Sequence, residues 1–135
     1  LALIAHTAIK TGAVASDALV CPMIDARRME VYASFFDTKL GQVRATSADI
    51  IDENSYADYL SSKEVYFCGN GSDKCKSVLT GANAKFVDGI IPTAENMVEL
   101  SEKLYAEKKF EDVAYFEPEY VKEFVATVAK NKVLG

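Results

Sequence analysis

The succession of strand and helix patterns along the chain constrains its fold more than any other feature. Three runs rich in β-branched and aromatic residues follow one another with only short turns between them: "DALVCPMIDA", "EVYASFFDT" and "VRATSADI". Strands joined in this way predict an antiparallel meander. Further along, the strands "EVYFCG" and "AKFVDG" alternate with the helical segments "SYADYLSS", "GSDKCKSVLT" and "ENMVELSEKLYAEKKF". Strands separated by single helices favour parallel pairing with right-handed crossovers.

A leading helix over Leu1–Lys10, ending near Gly12, completes the predicted order α-β-β-β-α-β-α-β-α. This order predicts an α/β fold: a mixed five-stranded sheet with flanking helices, the ribonuclease-H-like arrangement. Pro22 conflicts with the first strand, because proline cannot donate to a ladder and is usually confined to sheet edges or bulges.

Cap and stop signals place the ends of the later helices. Asn54 or Ser55 is expected to cap the helix in "SYADYLSS", and Thr93 the last helix. Gly81 is expected to stop the helix in "GSDKCKSVLT". The last helix carries one apolar stripe at helical spacing, formed by Met97, Leu100, Leu104 and Tyr105.

Charge and cysteine content exclude several classes of function. The chain has 15 basic and 20 acidic residues, a net charge of −5, which argues against binding nucleic acid through a general field. Three cysteines and one histidine without a C-x-x-C motif exclude a zinc site of ordinary spacing and argue against a disulfide framework. Reduced, buried thiols in a cytoplasmic protein are the expected state. No apolar run approaches the roughly 18 to 20 residues of a membrane span.

The hairpin tip "DARRME" admits two interpretations. Asp25 can accept hydrogen bonds from turn amides or pair with Arg27 or Arg28, which would fix the hairpin and leave residues 26–29 as an exposed knob. Alternatively, Asp25 is one carboxylate of a two-metal nuclease site. The companions that such a site would need are Glu30, Asp37 and Asp88. The first interpretation is preferred, because Asp37 lies at the far end of the second strand and no basic surface is evident.

The segment "CGNGSDK" places a glycine turn between a strand and a predicted helix. Backbone amides at a helix N-terminus attract anions, so Gly69, Asn70, Gly71 and Ser72 are candidate phosphate contacts. The segment does not match a P-loop, and Gly69 and Gly71 are expected to supply positive φ for a tight connection.

In the closing segment "FEPEYVKEFVATVAKNK", Pro118 interrupts regular secondary structure. Tyr120, Val121, Phe124 and Val125 then follow at helical spacing and predict an apolar stripe. Since no Ser/His/Asp set, reactive-cysteine context or metal cluster is evident in the sequence, the residues alone predict a non-catalytic α/β domain.

These segments resemble one particular family. "IDARRMEVYASFFD" resembles the I-D-A-R-x-x-E-V-Y hairpin of the TsaB (YeaZ) family, and "YFEPEYVKEF", with Glu117, Pro118 and Tyr120, resembles its closing E-P-x-Y-[LV]-[RK] segment. "GNGSDK" and "IIPTAENMVELSEKLYAEKK" occupy the places of its glycine turn and following helix. The resemblance extends over residues 1–132.

The resemblance implies one lobe of a two-lobed protein of the actin/sugar-kinase/Hsp70 superfamily. The chain would be the second lobe, a single domain with a leading helix (1–12), a ribonuclease-H-like core (13–110) and a C-terminal segment and tail (111–135). The family's D-T-S and G-P-G-S-F-T-G motifs, which belong to the first lobe, are absent, and the chain lacks an initiating methionine. We therefore expect a fragment without its N-terminal lobe.

The function that the resemblance implies is accessory rather than catalytic. The lobe would support a TsaD-like catalytic subunit and a TsaE-like ATPase in threonylcarbamoylation of the tRNA adenosine next to the anticodon, chiefly through the missing first lobe. The hairpin tip is expected to have a structural or inter-subunit role, carried by Asp25, Arg27, Arg28, Glu30 and Tyr32.

Other expectations accompany this function. Neither a metal nor a cofactor is expected, although ATP or ADP at the inter-lobe cleft of the full-length protein stays open. A homodimer also stays open, and direct tRNA contact is not expected. The old label of glycoprotease finds no support in these residues. A nucleotide-binding, kinase-like lobe and a stand-alone interaction module are the alternatives.

Overall fold

The structure, a computed structural model, describes residues 1–122 and is built on one five-stranded mixed sheet. Its elements are α1 (Ala2–Lys10), β1 (Leu19–Asp25), β2 (Glu30–Asp37), β3 (Gln42–Ile50), α2 (Ala57–Leu60), β4 (Val65–Cys68), a 3-10 turn (Asp73–Cys75), β5 (Ala84–Val87) and α3 (Ala94–Ala106). The strand order is β3-β2-β1-β4-β5, antiparallel on the β1–β2–β3 side and parallel on the β1–β4–β5 side. The predicted α/β sheet is confirmed.

The central strand β1 is covered on both faces. On one face α1 packs Ile4, Ala5 and Ala8 against Val20 and Cys68. The opposite face carries the larger core cluster: Leu19, Cys21, Met23, Val31, Ala33, Phe35, Ile51, Val65, Phe67, Cys75 and Leu79. Since side chains alternate between the faces of a strand, this double burial explains why β1 is apolar almost throughout.

Aromatic rings close the larger cluster beneath α2. Phe35 stacks on Tyr59 with ring centroids 4.2 Å apart and meets Tyr56 edge-on at 5.0 Å. Such aromatic pairs contribute about 0.5–1.5 kcal/mol beyond the area they bury.

Pro22 lies in the middle of the sheet, not at an edge. The β1–β2 register is unchanged on either side of it, with Val20 opposite Phe36 and Met23 opposite Ala33. On its other side, Pro22 is in register with Cys68 of β4. The strand predicted around Pro22 is therefore confirmed, and it accommodates the proline in the middle of the sheet without a register shift.

Two local predictions were wrong. The segment "GSDKCKSVLT" forms only a 3-10 turn at Asp73–Cys75, since Ser, Val and Thr near its end are weak helix formers.

The predicted cap of α2 by Asn54 or Ser55 is absent. Helix α2 begins after Tyr56, which takes a left-handed conformation with φ 63°, and no side chain caps it. Ser55 instead donates its hydroxyl to the Asp52 carboxylate at 2.9 Å.

Helices α1 and α3 confirm their predictions. Thr93 is the residue preceding α3, but its side chain makes no capping hydrogen bond. The apolar stripe of α3 stays exposed, with 49% of Met97 and 72% of Tyr105 accessible. An ion pair attaches the helix to α1, because Lys10 Nζ lies 2.6 Å from Glu99 Oε1. The other carboxylate oxygen of Glu99 lies 3.1 Å from His6 Nε2.

The far C-terminal prediction lies partly outside the described residues, which end at Lys122 and so exclude Phe124 and Val125. Within residues 1–122, the structure contains no helix of the length and apolarity needed to cross a membrane.

Candidate functional site

The hairpin tip and the glycine turn meet at one end of the sheet. Because β1 is parallel to β4, the carboxyl ends of both strands lie on the same side. The Asp25 amide donates to Asn70 Oδ1 at 3.1 Å, and the Gly71 amide donates to the Met23 carbonyl at 3.1 Å. The two segments that sequence analysis treated separately therefore form one site.

The glycines of the turn let it lie directly against the backbone of β1. A Cβ on Gly69 would stand 2.5 Å from the Met23 carbonyl oxygen, and one on Gly71 would stand 2.9 Å from the Ile24 carbonyl carbon. Gly69 has φ 92°, as predicted. The expected positive φ at Gly71 is wrong: this residue is required for close approach, not for its backbone angle.

The Asp25 carboxylate pairs with a lysine from the glycine-turn segment. Lys74 Nζ donates to Asp25 Oδ1 and, at 2.7 Å, to the Glu30 carbonyl, so it joins both sides of the hairpin. Of the two predicted alternatives, the hydrogen bond from a turn amide is confirmed, since the Arg27 amide donates to Asp25 Oδ1 at 2.9 Å. Among residues 1–122, Asp25 pairs with Lys74 and not with the side chain of Arg27 or Arg28. The hydrogen bond from Lys74, followed by that from the Arg27 amide, lowers the pKa of Asp25.

Arg27 and Arg28 form the outermost part of the tip. Both side chains are exposed, and both residues take positive φ angles, 71° and 46°. Within residues 1–122, neither guanidinium has a hydrogen-bond or ion-pair partner. The predicted exposed knob over residues 26–29 is therefore confirmed only for Arg27 and Arg28, which present two cations, whereas Met29 packs half-buried against the larger core cluster.

Glu30 and Tyr32 connect the hairpin to the closing segment. Lys122 Nζ lies 2.6 Å from Glu30 Oε2. Tyr32 and Tyr120 line a cavity of about 390 Å³ on the α1 side of the sheet. Glu117 and Pro118 of the same segment are exposed to solvent.

A second cavity, of about 190 Å³, lies beside the glycine turn and is lined by Gly69, Asn70, Ser72, Asp73 and Asp88, among others. The Ser72 hydroxyl donates to the Gly69 carbonyl at 2.8 Å and is largely buried. Two carboxylates line this cavity, and Lys76 Nζ bridges them, at 2.7 Å from Asp73 and 2.6 Å from Asp88. This lining combines backbone amides with acid groups, which is unfavourable for a phosphate that arrives without a cation.

The carboxylates of the nuclease hypothesis do not converge. Asp25 binds Lys74, Asp88 binds Lys76, and Asp37 accepts the amides of Lys39 and Gly41 in the turn at the opposite end of the sheet. In the part of the chain that the structure describes, no three His, Cys, Asp or Glu residues are grouped to hold a metal ion.

Sequence reasoning missed a second polar network, on β3 and α2. Arg44 holds Asp49 with two hydrogen bonds, of 2.6 Å and 2.7 Å, and the Tyr56 hydroxyl donates to the same carboxylate at 2.7 Å. Burial alone raises the pKa of Asp49, but hydrogen bonds from Arg44, Tyr56 and Ser47 outweigh it, so the net pKa lies below the ordinary value. Arg44 and Asp49 are five residues apart, an odd spacing that would place them on opposite faces of a regular strand. The irregular register of β3 against β2 between Arg44 and Ser47 allows the two side chains to meet, so the spacing alone does not predict the pair.

The fold and the site together define a class: an α/β domain with a mixed five-stranded sheet whose hairpin tip is fastened to a glycine turn. A solved structure from Pseudomonas aeruginosa, described as an uncharacterized protein with similarity to peptidase YEAZ, is similar over 88% of this chain with a TM-score of 0.68. Sequence identity is 16%, so the likeness concerns the fold. This chain spans 56% of that protein's length. No protein-family model and no curated protein matches the sequence.

Proposed function

We propose that this chain is a non-catalytic scaffold lobe that supports a TsaD-like catalytic subunit, together with a TsaE-like ATPase, in threonylcarbamoylation of the tRNA adenosine beside the anticodon. The observation that carries the proposal is the joining of the hairpin tip and the glycine turn, two of the segments that resemble the TsaB family, into a single hydrogen-bonded site. The YeaZ-like fold supports the same relationship.

The chemistry of the site favours a scaffold over a catalyst. A general base or metal-binding carboxylate must be free to accept a proton or an ion, whereas Asp25 is held by Lys74 and by a backbone amide. These contacts with Lys74 and the Arg27 amide hold the tip in one conformation, which favours recognition by another protein.

Reconstitution tests this function. The native protein, purified from its source cells with any sequence that flanks these 135 residues, is combined with the TsaD-like and TsaE-like subunits of the same organism, tRNA, ATP and a threonylcarbamoyl donor. We expect formation of the modified adenosine to depend on the protein, and Asp25→Ala to weaken complex assembly. If modification proceeds equally without the protein, the proposal fails.

A nucleotide-binding lobe is the second candidate, because a cavity of about 190 Å³ lies beside Gly69 and Asn70 at the carboxyl ends of β4 and β5. Calorimetric titration with ATP separates the two functions. The scaffold function predicts no binding at micromolar ATP, whereas micromolar affinity that is lost in Asn70→Ala would establish the nucleotide-binding lobe.

A further inference from the structure

We propose that Arg27 and Arg28 form a two-cation contact that binds carboxylates on an acidic segment of a protein partner. This inference rests on the proposed function, in which the hairpin tip is an interaction surface, and it adds the chemistry of the partner.

First, the neighbouring carboxylates are already occupied by lysines. Asp25, two residues before Arg27, is paired with Lys74, and Glu30, two residues after Arg28, is paired with Lys122. Because these lysines neutralise the acids of the tip, both guanidinium groups stay without a partner among residues 1–122. Two adjacent charges are thus available to a ligand.

Second, the backbone that presents them is held in an unfavourable conformation. Non-glycine residues rarely take positive φ because Cβ then approaches the backbone, and here two consecutive arginines do so, at 71° and 46°. Strain of this kind persists when the surroundings enforce it, and it concentrates at functional sites. Glycine or asparagine would fit the turn at lower cost, so the turn itself does not require arginine.

Third, the tip is fixed before any partner arrives. The Ala26 amide donates to the Glu30 carbonyl at 3.0 Å, and the Ile51 amide donates to the Met29 carbonyl at 2.7 Å. Lys74 holds the Glu30 carbonyl from the opposite side at 2.7 Å. A preorganised backbone loses less conformational entropy on binding.

Fourth, the charge balance favours protein carboxylates over nucleic acid. The guanidinium fork matches a carboxylate in two parallel hydrogen bonds, and Arg44 binds Asp49 in this way within the same molecule. Nucleic acid binding requires a broad cluster of cations, whereas this chain carries a net charge of −5.

The first test measures affinity for the TsaD-like and TsaE-like subunits with the variant R27G/R28G. This variant removes both charges and relieves the backbone, so we expect an unchanged or raised Tm together with an affinity loss of about tenfold or more and a weaker dependence on salt. The matched control, K39A/K63A, removes two positive charges at the opposite end of the sheet and should leave affinity unchanged. Equal affinity losses in both variants, or wild-type affinity in R27G/R28G, would overturn the inference.

The second test does not depend on those subunits. Hexaglutamate is titrated into the native protein while the arginine Nε resonances are followed by NMR. We expect the Arg27 and Arg28 signals to shift and the Arg44 signal to stay in place. No shift overturns the inference, and a larger response to a short RNA at equal concentration reassigns the surface to nucleic acid. If hexaglutamate shifts both signals but the subunits do not bind, the proposed function fails and the arginine contact stands.

Discussion

At the scale of single residues, close approach of backbone to backbone determines the shape of the site. Gly69 and Gly71 lie where a methyl group would meet the main chain of β1 at 2.5 Å and 2.9 Å. Main chain within a sheet cannot rotate away as a side chain can, so the conflict must be relieved by moving the turn. Movement of the turn would also displace Lys74 from Asp25.

The first prediction concerns Gly69. Gly69→Ala should lower the free energy of unfolding by about 2–3 kcal/mol, since it combines a left-handed alanine with a backbone clash. Urea denaturation measures the change. Gly81→Ala is the control, because Gly81 has no atom within 4 Å of the added methyl group and no positive φ. It should change stability by less than about 1 kcal/mol. Similar losses in the two variants would contradict the steric account.

The second prediction concerns the Asp25–Lys74 pair. The bound ammonium keeps the pKa of Asp25 below its ordinary value, so the pair stabilises the fold above the unfolded pKa of about 4, and this contribution is lost as pH falls through the folded value. An NMR titration of the Asp25 carboxyl should show its pKa rising toward the ordinary value in Lys74→Met. Lys76→Met should leave it unchanged, since Lys76 pairs with Asp73 and Asp88. An unshifted pKa in Lys74→Met would exclude Lys74 as the cause.

At the scale of elements, two polar contacts decide how helices sit against the sheet. The Arg44–Asp49–Tyr56 network fastens α2 to β3 over the aromatic rings of Phe35 and Tyr59. Helix α3 is attached differently, since it has no buried residue and contacts α1 through the charges around Glu99. The two helices should therefore respond differently to substitution.

The third prediction concerns the network on β3. Asp49→Ala removes the partner of a half-buried guanidinium and of the Tyr56 hydroxyl, and should cost about 1–3 kcal/mol. The cost stays below that of a fully buried pair because solvent reaches Arg44. Thermal and urea unfolding measure it. Asp58→Ala, an exposed carboxylate on α2, is the control and should lie within about 0.5 kcal/mol of wild type. A neutral Asp49→Ala would mean that the network does not stabilise the fold.

The fourth prediction concerns α3. Its amides should exchange with deuterium faster than those of α1, because few apolar contacts hold it. Glu99→Gln should accelerate this exchange further, whereas Glu102→Gln, which removes an exposed charge of the same helix without an ion-pair partner among residues 1–122, should not. Hydrogen–deuterium exchange mass spectrometry measures the exchange rate of the α3 amides in the wild-type protein and in both variants. Equal protection of α3 in all three proteins would show that its attachment does not depend on the contacts of Glu99.

Features that depend on neighbouring residues were predicted correctly more often than contacts between residues that are distant in the sequence. Strand and helix order depends on local periodicity and turns. It was confirmed for all five strands and for α1, α2 and α3, but not for the helix predicted over "GSDKCKSVLT". The partner of Asp25 lies 49 residues away, where only the β1–β4 pairing brings it close. The role of Gly71 likewise depends on a strand that is distant in sequence. The register of β1 against β4 therefore determines the partner of Asp25 and the role of Gly71, and local sequence patterns do not contain that register.

At the scale of the whole molecule, packing is concentrated in residues 1–90. No side chain between residues 91 and 122 is fully buried. By contrast, Cys21, Cys68 and Cys75 are free thiols with no exposed surface. Burial raises the pKa of Cys68 to about 12 and also raises that of Cys21. These thiols are therefore shielded both from solvent and from ionisation.

The fifth prediction uses the thiols as reporters of the whole fold. Iodoacetamide at pH 8 should not label the native protein, since only an accessible thiolate reacts. All three cysteines should be labelled after addition of denaturant, along a curve that coincides with loss of circular dichroism. Intact mass spectrometry counts the labels. Labelling of one cysteine well below the unfolding transition would reveal local opening around that residue.

The strand order β3-β2-β1-β4-β5 has a consequence for how the chain assembles. Strands β1 to β3 are contiguous in sequence and can pair by closing short loops, whereas β4 must travel across the whole β2–β3 hairpin to reach β1. Loop-closure entropy makes the short-range steps the faster ones. On a ribosome, residues 19–50 leave the exit tunnel before residues 65–87 do. The hairpin tip can then form early, before Lys74 is available to Asp25, and the Asp25–Lys74 pair can close only after β4 has reached β1.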